Sequence, residues 1–219
     1  MAYILNLETA TKNCSVSVAK DGITVSLKEF AGEGYAHAEK LHIFIEEALG
    51  EAGISLNDLS AIAVSKGPGS YTGLRIGVSA AKGLCYALNM PMVAIDTTEV
   101  LAHAVKIDSG IIMPMIDARR MEAYTAVFSA DYKLLEPVKA EIIEENIYDA
   151  LEGPIHLLGD GAAKCKPILV GEKYVYHDAV VYPSAKEMSA LSFNKYKISD
   201  TVDVAYFEPF YLKNFIAGK

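Results

Sequence analysis

Ala61-Ile62-Ala63-Val64-Ser65 runs into Lys66-Gly67-Pro68-Gly69-Ser70-Tyr71-Thr72-Gly73-Leu74-Arg75-Ile76-Gly77, an apolar strand followed by a tight turn and the opening of a helix. Gly67 and Gly69 flank Pro68, so positive φ is open on either side of a fixed φ and the chain can reverse at once. Ser70 or Thr72 is placed to cap the first free N–H groups. Gly73, Gly77 and Gly83 then sit inside the helix, each costing about 1 kcal/mol relative to alanine. Gly73, Gly77, Ala81 and Cys85 recur every fourth residue and form a stripe of small side chains, with Leu74, Val78, Leu84 and Leu88 beside it. Either the helix N-terminus holds a phosphate, or the stripe is a packing surface, in the core or between subunits. The spacing is neither Gly-x-x-x-x-Gly-Lys-Ser/Thr nor Gly-x-Gly-x-x-Gly, which favours packing.

Working outward, Tyr3 to Leu7, Cys14 to Val18 and Ile23 to Phe30 read as a three-stranded meander, its last turn at Lys20-Asp21-Gly22. Glu8-Thr9-Ala10-Thr11 joins the first two strands. It reads as an ordinary hairpin loop, polar enough to face a ligand. A helix follows from about Ala36 to Ala52, with Leu41, Phe44, Ile45, Ala48, Leu49 and Ala52 on one face and Gly53 as its stop. After the central motif come a short strand at Met92 to Ile95 and a helix from about Thr97 to Val105. The order then restarts: strands at Ile111 to Ile116, Ala123 to Phe128 and Lys133 to Val138, a short helix at Glu144 to Leu151, a strand at Ile155 to Leu158, and Gly159-Asp160-Gly161-Ala162-Ala163 opening another helix. Ser184 to Tyr196 reads as helical and Pro209 to Lys213 as extended. Three antiparallel strands followed by alternating helices and strands, twice over, give an α/β chain of two ribonuclease H-like halves, each a mixed sheet flanked by helices.

With 219 residues, 52% hydrophobic and 22% charged, the chain can bury a large core and remain soluble. Its net charge of −8 and the lack of any Lys/Arg run argue against a surface that grips RNA by its phosphates. Three scattered cysteines, Cys14, Cys85 and Cys165, make neither a disulfide framework nor a zinc knuckle, and no stretch is long and apolar enough to span a bilayer. A cytoplasmic protein is expected.

The catalytic constellations are mostly absent. His37 and His42 are five apart and lie on different faces of their helix, where a metal pair needs three or four. In Gly69-Ser70-Tyr71-Thr72-Gly73 the serine stands one residue early for a nucleophile elbow. Paired carboxylates remain: Glu8 and Asp117 each follow the first strand of one half, where a duplicated fold can bring them across a cleft to hold nucleotide and metal. Both are equally readable as loop caps, as is Asp160 between two glycines.

The central motif closely resembles that of the bacterial TsaB family, the partner subunit of the machinery that makes threonylcarbamoyladenosine in tRNA. The resemblance extends through Ile4 to Val18, His37-Ala38-Glu39-Lys40-Leu41, Ala81-Lys82-Gly83-Leu84, Asp117-Ala118-Arg119-Arg120 and Pro209-Phe210-Tyr211-Leu212. It implies a two-lobed actin-like ATPase (ASKHA) fold, with a first lobe at 1–106 carrying the dimerisation helices and a second at 107–219 whose tail packs back on the first. The catalytic relative, TsaD, carries His-x-x-x-His where this chain has Thr97 and Leu101, and a hydroxyl and an isobutyl group cannot replace two imidazoles. Hence the resemblance implies a non-catalytic scaffold with no metal of its own. Its nucleotide residues Glu8, Asp117 and Asp160 would be vestigial, Glu8 standing where many relatives have Asp.

The implied partner is TsaD, bound through the two helices by His37, Lys40, Leu41, Phe44, Tyr71, Gly73, Leu74, Gly77, Val78 and Ala81. The pair would recruit TsaE, a small P-loop ATPase. Alone, the same surface would form a homodimer. ATP and a divalent metal would belong to the partner complex, and tRNA would be met only through it. The alternative is an actin-fold phosphotransferase using Glu8 and Asp117.

Overall fold

A computed structural model describes residues 1–32 and 36–213. The first sheet has the order β3-β2-β1-β4-β5. Its strands are β1 (Tyr3–Glu8), β2 (Asn13–Lys20), β3 (Ile23–Ala31), β4 (Leu59–Gly67) and β5 (Met92–Asp96). β1 pairs antiparallel with β2 and parallel with β4, which pairs parallel with β5. The second sheet, β10-β9-β6-β7-β8, repeats that order strand for strand with β6 (Ile111–Asp117), β7 (Glu122–Ser129), β8 (Leu134–Ile142), β9 (Ile155–Leu158) and β10 (Tyr174–Tyr176).

The apolar runs that mark β1 and β4 are continuous because the first sheet is covered on both sides. On one face α1 (His37–Ala52) and α2 (Tyr71–Leu88) pack Leu41, Ile45, Leu49, Val78 and Ala81 against Leu5, Leu7, Val16, Ile62 and Val64. On the other, α4 (Ala185–Lys197) brings Ala185 and Met188 onto Ile4, Ala61, Ala63, Val93 and Ile95. Each fully buried Leu, Ile, Val or Met side chain contributes about 1.5 to 3 kcal/mol. α1 stops where Gly53 turns left-handed at φ 69. Ser70 caps α2 by accepting the Gly73 N–H.

α3 (Thr97–Ala102) ends earlier than its apolar pattern suggests and wedges between the lobes, setting Leu101 and Ala102 among Ile112, Ile116, Phe128 and Leu158 of the second sheet. Two helices expected in the second lobe do not form. Residues 145–150 are successive turns, broken at Asn146 with φ 64. After Gly159, at φ 104, the chain makes a single 3-10 turn, Ala163–Cys165, before Pro167 and Gly171 end any continuation. The second sheet is complete by Tyr176, and α4 crosses back to the first. The final residues assigned to the second lobe, 214–219, lie outside the described residues.

Candidate functional site: a helix-pair groove beside a closed cleft

The small stripe of α2 faces inward. Thr9 donates to the Gly73 carbonyl at 2.8 Å. A Cβ at Gly73 would strike the Thr9 carbonyl, and one at Gly77 the Thr9 hydroxyl. The β1–β2 loop therefore lies on α2, and the glycines are there to admit it. His37, at the start of α1, bonds the Thr11 carbonyl through Nε2 at 2.7 Å, and the Ser70 N–H donates to the Ala10 carbonyl at 2.6 Å. One loop thus ties down the N-termini of both helices.

Most residues of the expected interface lie on this inward side. His37, Leu41, Gly73, Leu74, Gly77, Val78 and Ala81 are buried inside the protomer and present no surface. Lys40 and Phe44 are half-buried, with the Lys40 ammonium over the Phe30 ring at 4.5 Å. Tyr71 is half-buried and does reach the surface. Gly69 needs no positive φ; it is glycine because the Ala10 backbone fills its Cβ position, whereas Gly67 does turn to φ 117.

What α1 and α2 present outward is their opposite edge. A groove of about 1070 Å³ is lined by Ala38 and His42 of α1 and by Tyr71, Thr72, Arg75, Ile76, Ser79, Ala80, Gly83 and Leu84 of α2. Gly83 differs from Gly73 and Gly77, since nothing in the protomer lies within 4 Å of its Cβ position. Its cost of about 1 kcal/mol is offset by no internal contact. A buried stripe and an exposed one share the same small residue types, and here Ala80 and Gly83 are the small residues on the outward side.

The carboxylates separate into two environments. Glu8 is fully buried; its Oε1 accepts the Ala10 N–H at 2.6 Å, and the Ser65 hydroxyl is its side-chain neighbour. Burial pushes its carboxyl up to about 7. Asp117 and Asp160 do meet, in a cleft of about 230 Å³ shared with Lys12, His177, Asp178 and Tyr182, which Glu8 does not line. The Asp117 N–H donates to Asp160 at 2.9 Å, and the Lys164 ammonium neutralises Asp117. Burial pushes Asp160 up to about 6. Ligand pockets run from about 300 to 1,000 Å³. This cleft is smaller, Glu8 is sealed away from it, and Asp117 is already paired within it.

Thr97 and Leu101 are both fully buried, and the Leu101 methyl stands 2.7 Å from the Cβ position of Gly159. Beside them Lys66 pairs with Asp96 at 3.0 Å. Among the described residues, no group of three or more His, Cys, Asp or Glu is placed to hold a metal ion. No described helix is long and apolar enough to cross a membrane. The His156–His177 pair, Nδ1 to Nε2 at 2.8 Å, escaped the sequence because its members lie on separate strand ends.

Two sheets of identical strand order with a helix wedged between them define an actin-like ATPase fold of two ribonuclease H-like lobes. Within that class the comparisons are specific. The family model described as TsaD, tRNA N6-adenosine threonylcarbamoyltransferase, matches residues 33–213. The tRNA threonylcarbamoyladenosine biosynthesis protein TsaB of Escherichia coli is 30% identical over 99% of this chain and 96% of that one. YeaZ from Pseudomonas aeruginosa superposes with a TM-score of 0.84 at 25% identity, covering 97% of this chain and 100% of that one. The tRNA N6-adenosine threonylcarbamoyltransferase of Bacillus subtilis is 32% identical over 52% of this chain but only 37% of its own length. The chain belongs to the TsaB family.

Proposed function

We propose that this protein acts in tRNA threonylcarbamoyladenosine synthesis as a scaffold that docks a TsaD-type transferase through the α1–α2 groove and carries out no transfer itself. The observation that carries this reading is the groove with its open Gly83, a helical glycine with no use inside the protomer. The names of the relatives supply the pathway. Leu101 supports the absence of chemistry, because it fills with hydrocarbon the place where the resemblance puts a metal ligand in the catalytic relative. The same groove serves a homodimer when the transferase is absent. ATP, the divalent metal and contact with tRNA belong to the assembled complex, which recruits the TsaE ATPase. The buried Glu8 and paired Asp117 give no support to a phosphotransferase.

Incubating the purified chain with tRNA and threonylcarbamoyl-adenylate, alone and with the transferase, tests the reading. Product is expected only with the transferase present, and in greater yield than the transferase gives alone. Transfer by this chain alone would overturn it.

A further inference from the structure

The segment from Asp203 to Lys213 runs along α2 from Lys82 back to Tyr71. Asp203 opens it with a turn, its Oδ1 accepting the Ala205 and Tyr206 N–H groups at 2.8 and 3.1 Å. The Lys82 ammonium then donates to the Ala205 and Phe207 carbonyls, each at 3.0 Å, as a cation does at the carbonyl end of a helix. Beyond Pro209 the Phe210 N–H donates to the Lys66 carbonyl at 2.7 Å. The Tyr211 ring lies 4.8 Å from the ring of Tyr71, over which the Arg75 guanidinium also stands at 5.0 Å. Lys213 finally pairs with Glu122 of the second lobe.

The central loop is shaped for this segment. The Phe210 carbonyl oxygen stands 2.5 Å from where a Cβ on Gly67 would be, so any side chain there would expel it. Gly67 is thus glycine for two reasons, its positive φ and the backbone lying on it. Yet the segment's own aromatic rings are not consumed in a core: Phe210 is 38% exposed and Tyr211 37%, next to Tyr71 and Arg75, which line the groove.

We propose that Asp203 to Lys213 is a strap that fixes the first turn of α2 and extends the groove, offering Tyr211 to the docked transferase. This rests on the docking reading given above for the partner. The occupant is the transferase because Tyr211 continues, through Tyr71 and Arg75, the edge of the groove that the docking reading assigns to it, and Tyr and Arg are enriched at protein contacts. An aromatic contact of this kind, at 0.5 to 1.5 kcal/mol, corresponds to about two- to tenfold in affinity.

Three variants of the full chain test the strap. Phe210→Pro removes the N–H bonded to Lys66, Lys82→Met releases both carbonyls, and Tyr211→Ala removes the ring while leaving the main-chain bonds. Hydrogen exchange on the free protein reads the first claim. Amides at the start of α2 should exchange faster in Phe210→Pro and Lys82→Met and be unchanged in Tyr211→Ala; unchanged exchange in the first two overturns the strap. Affinity for the transferase reads the second. Tyr211→Ala should weaken it about two- to tenfold, and equal affinity overturns the role of the ring in docking. If the unaltered chain does not bind the transferase, the docking reading itself fails with that role, while the exchange result still decides whether the segment is a strap.

Discussion

Replacing Glu8 with glutamine should make the protein more stable at alkaline pH and remove a pH dependence that the natural chain carries. Glu8 is fully buried, and burial, outweighing its hydrogen bonds, raises its carboxyl from 4.5 to about 7 in the folded state. The folded protein therefore keeps a proton that the unfolded chain has lost. The stability this contributes is complete below pH 4.5 and is lost as pH rises through 7. A rise of about 2.5 in pKa corresponds to about 3 kcal/mol. Glutamine keeps the shape without the charge: its carbonyl can accept the Ala10 N–H that Oε1 takes at 2.6 Å, and its amide can face the Ser65 hydroxyl that neighbours the carboxyl. Urea unfolding at pH 5, 6, 7 and 8 gives midpoint and slope for each protein. The two should coincide near pH 5 and diverge by about 3 kcal/mol by pH 8, with the variant more stable. Parallel profiles, or a variant less stable at pH 8, would show that Glu8 is not held as a buried acid.

Three further substitutions separate core from surface. Gly77→Leu should lower the thermal midpoint of the monomer, since the Thr9 hydroxyl occupies its Cβ position and overpacking costs about 1 to 3 kcal/mol; loss of association with an unchanged melt would mean that this glycine faces outward. Gly83→Ala should raise the monomer midpoint by the equivalent of up to about 1 kcal/mol, because the position is open, and calorimetry showing destabilisation would contradict that. Leu101→His should destabilise by about 2 to 5 kcal/mol, as other losses of a buried leucine do, without gain of a bound divalent metal by isothermal titration; tight metal binding would reveal a latent site.

The sequence carried the strand order well where periodicity is strong. Three strands, a turn at Asp21 and Gly22, two helices and their restart at Ile111 all follow from apolar pattern and punctuation. The second lobe's helices misled because Glu144 to Leu151 has helical composition, whereas its turns are held from outside, the Lys173 ammonium donating to the Tyr148 carbonyl and the Tyr148 hydroxyl to Glu141, each at 3.0 Å. The small stripe misled in the opposite way. Close approach of a backbone leaves the same glycines whether the neighbour is Thr9 or another subunit, and one sequence does not distinguish them. Gly83 breaks the tie only when its surroundings are seen to be open. Lys82, which fastens the strap, gave no signal because its partners are main-chain carbonyls more than a hundred residues away.

Light scattering on this protein mixed with the TsaD-type transferase of the same organism, beside a Gly83→Arg variant that fills the groove, tests the docking claim most directly. A one-to-one complex with the natural chain, lost in Gly83→Arg while that variant melts as a folded protein, is the predicted result. No complex with the natural chain, or an equally tight one with Gly83→Arg, would contradict it.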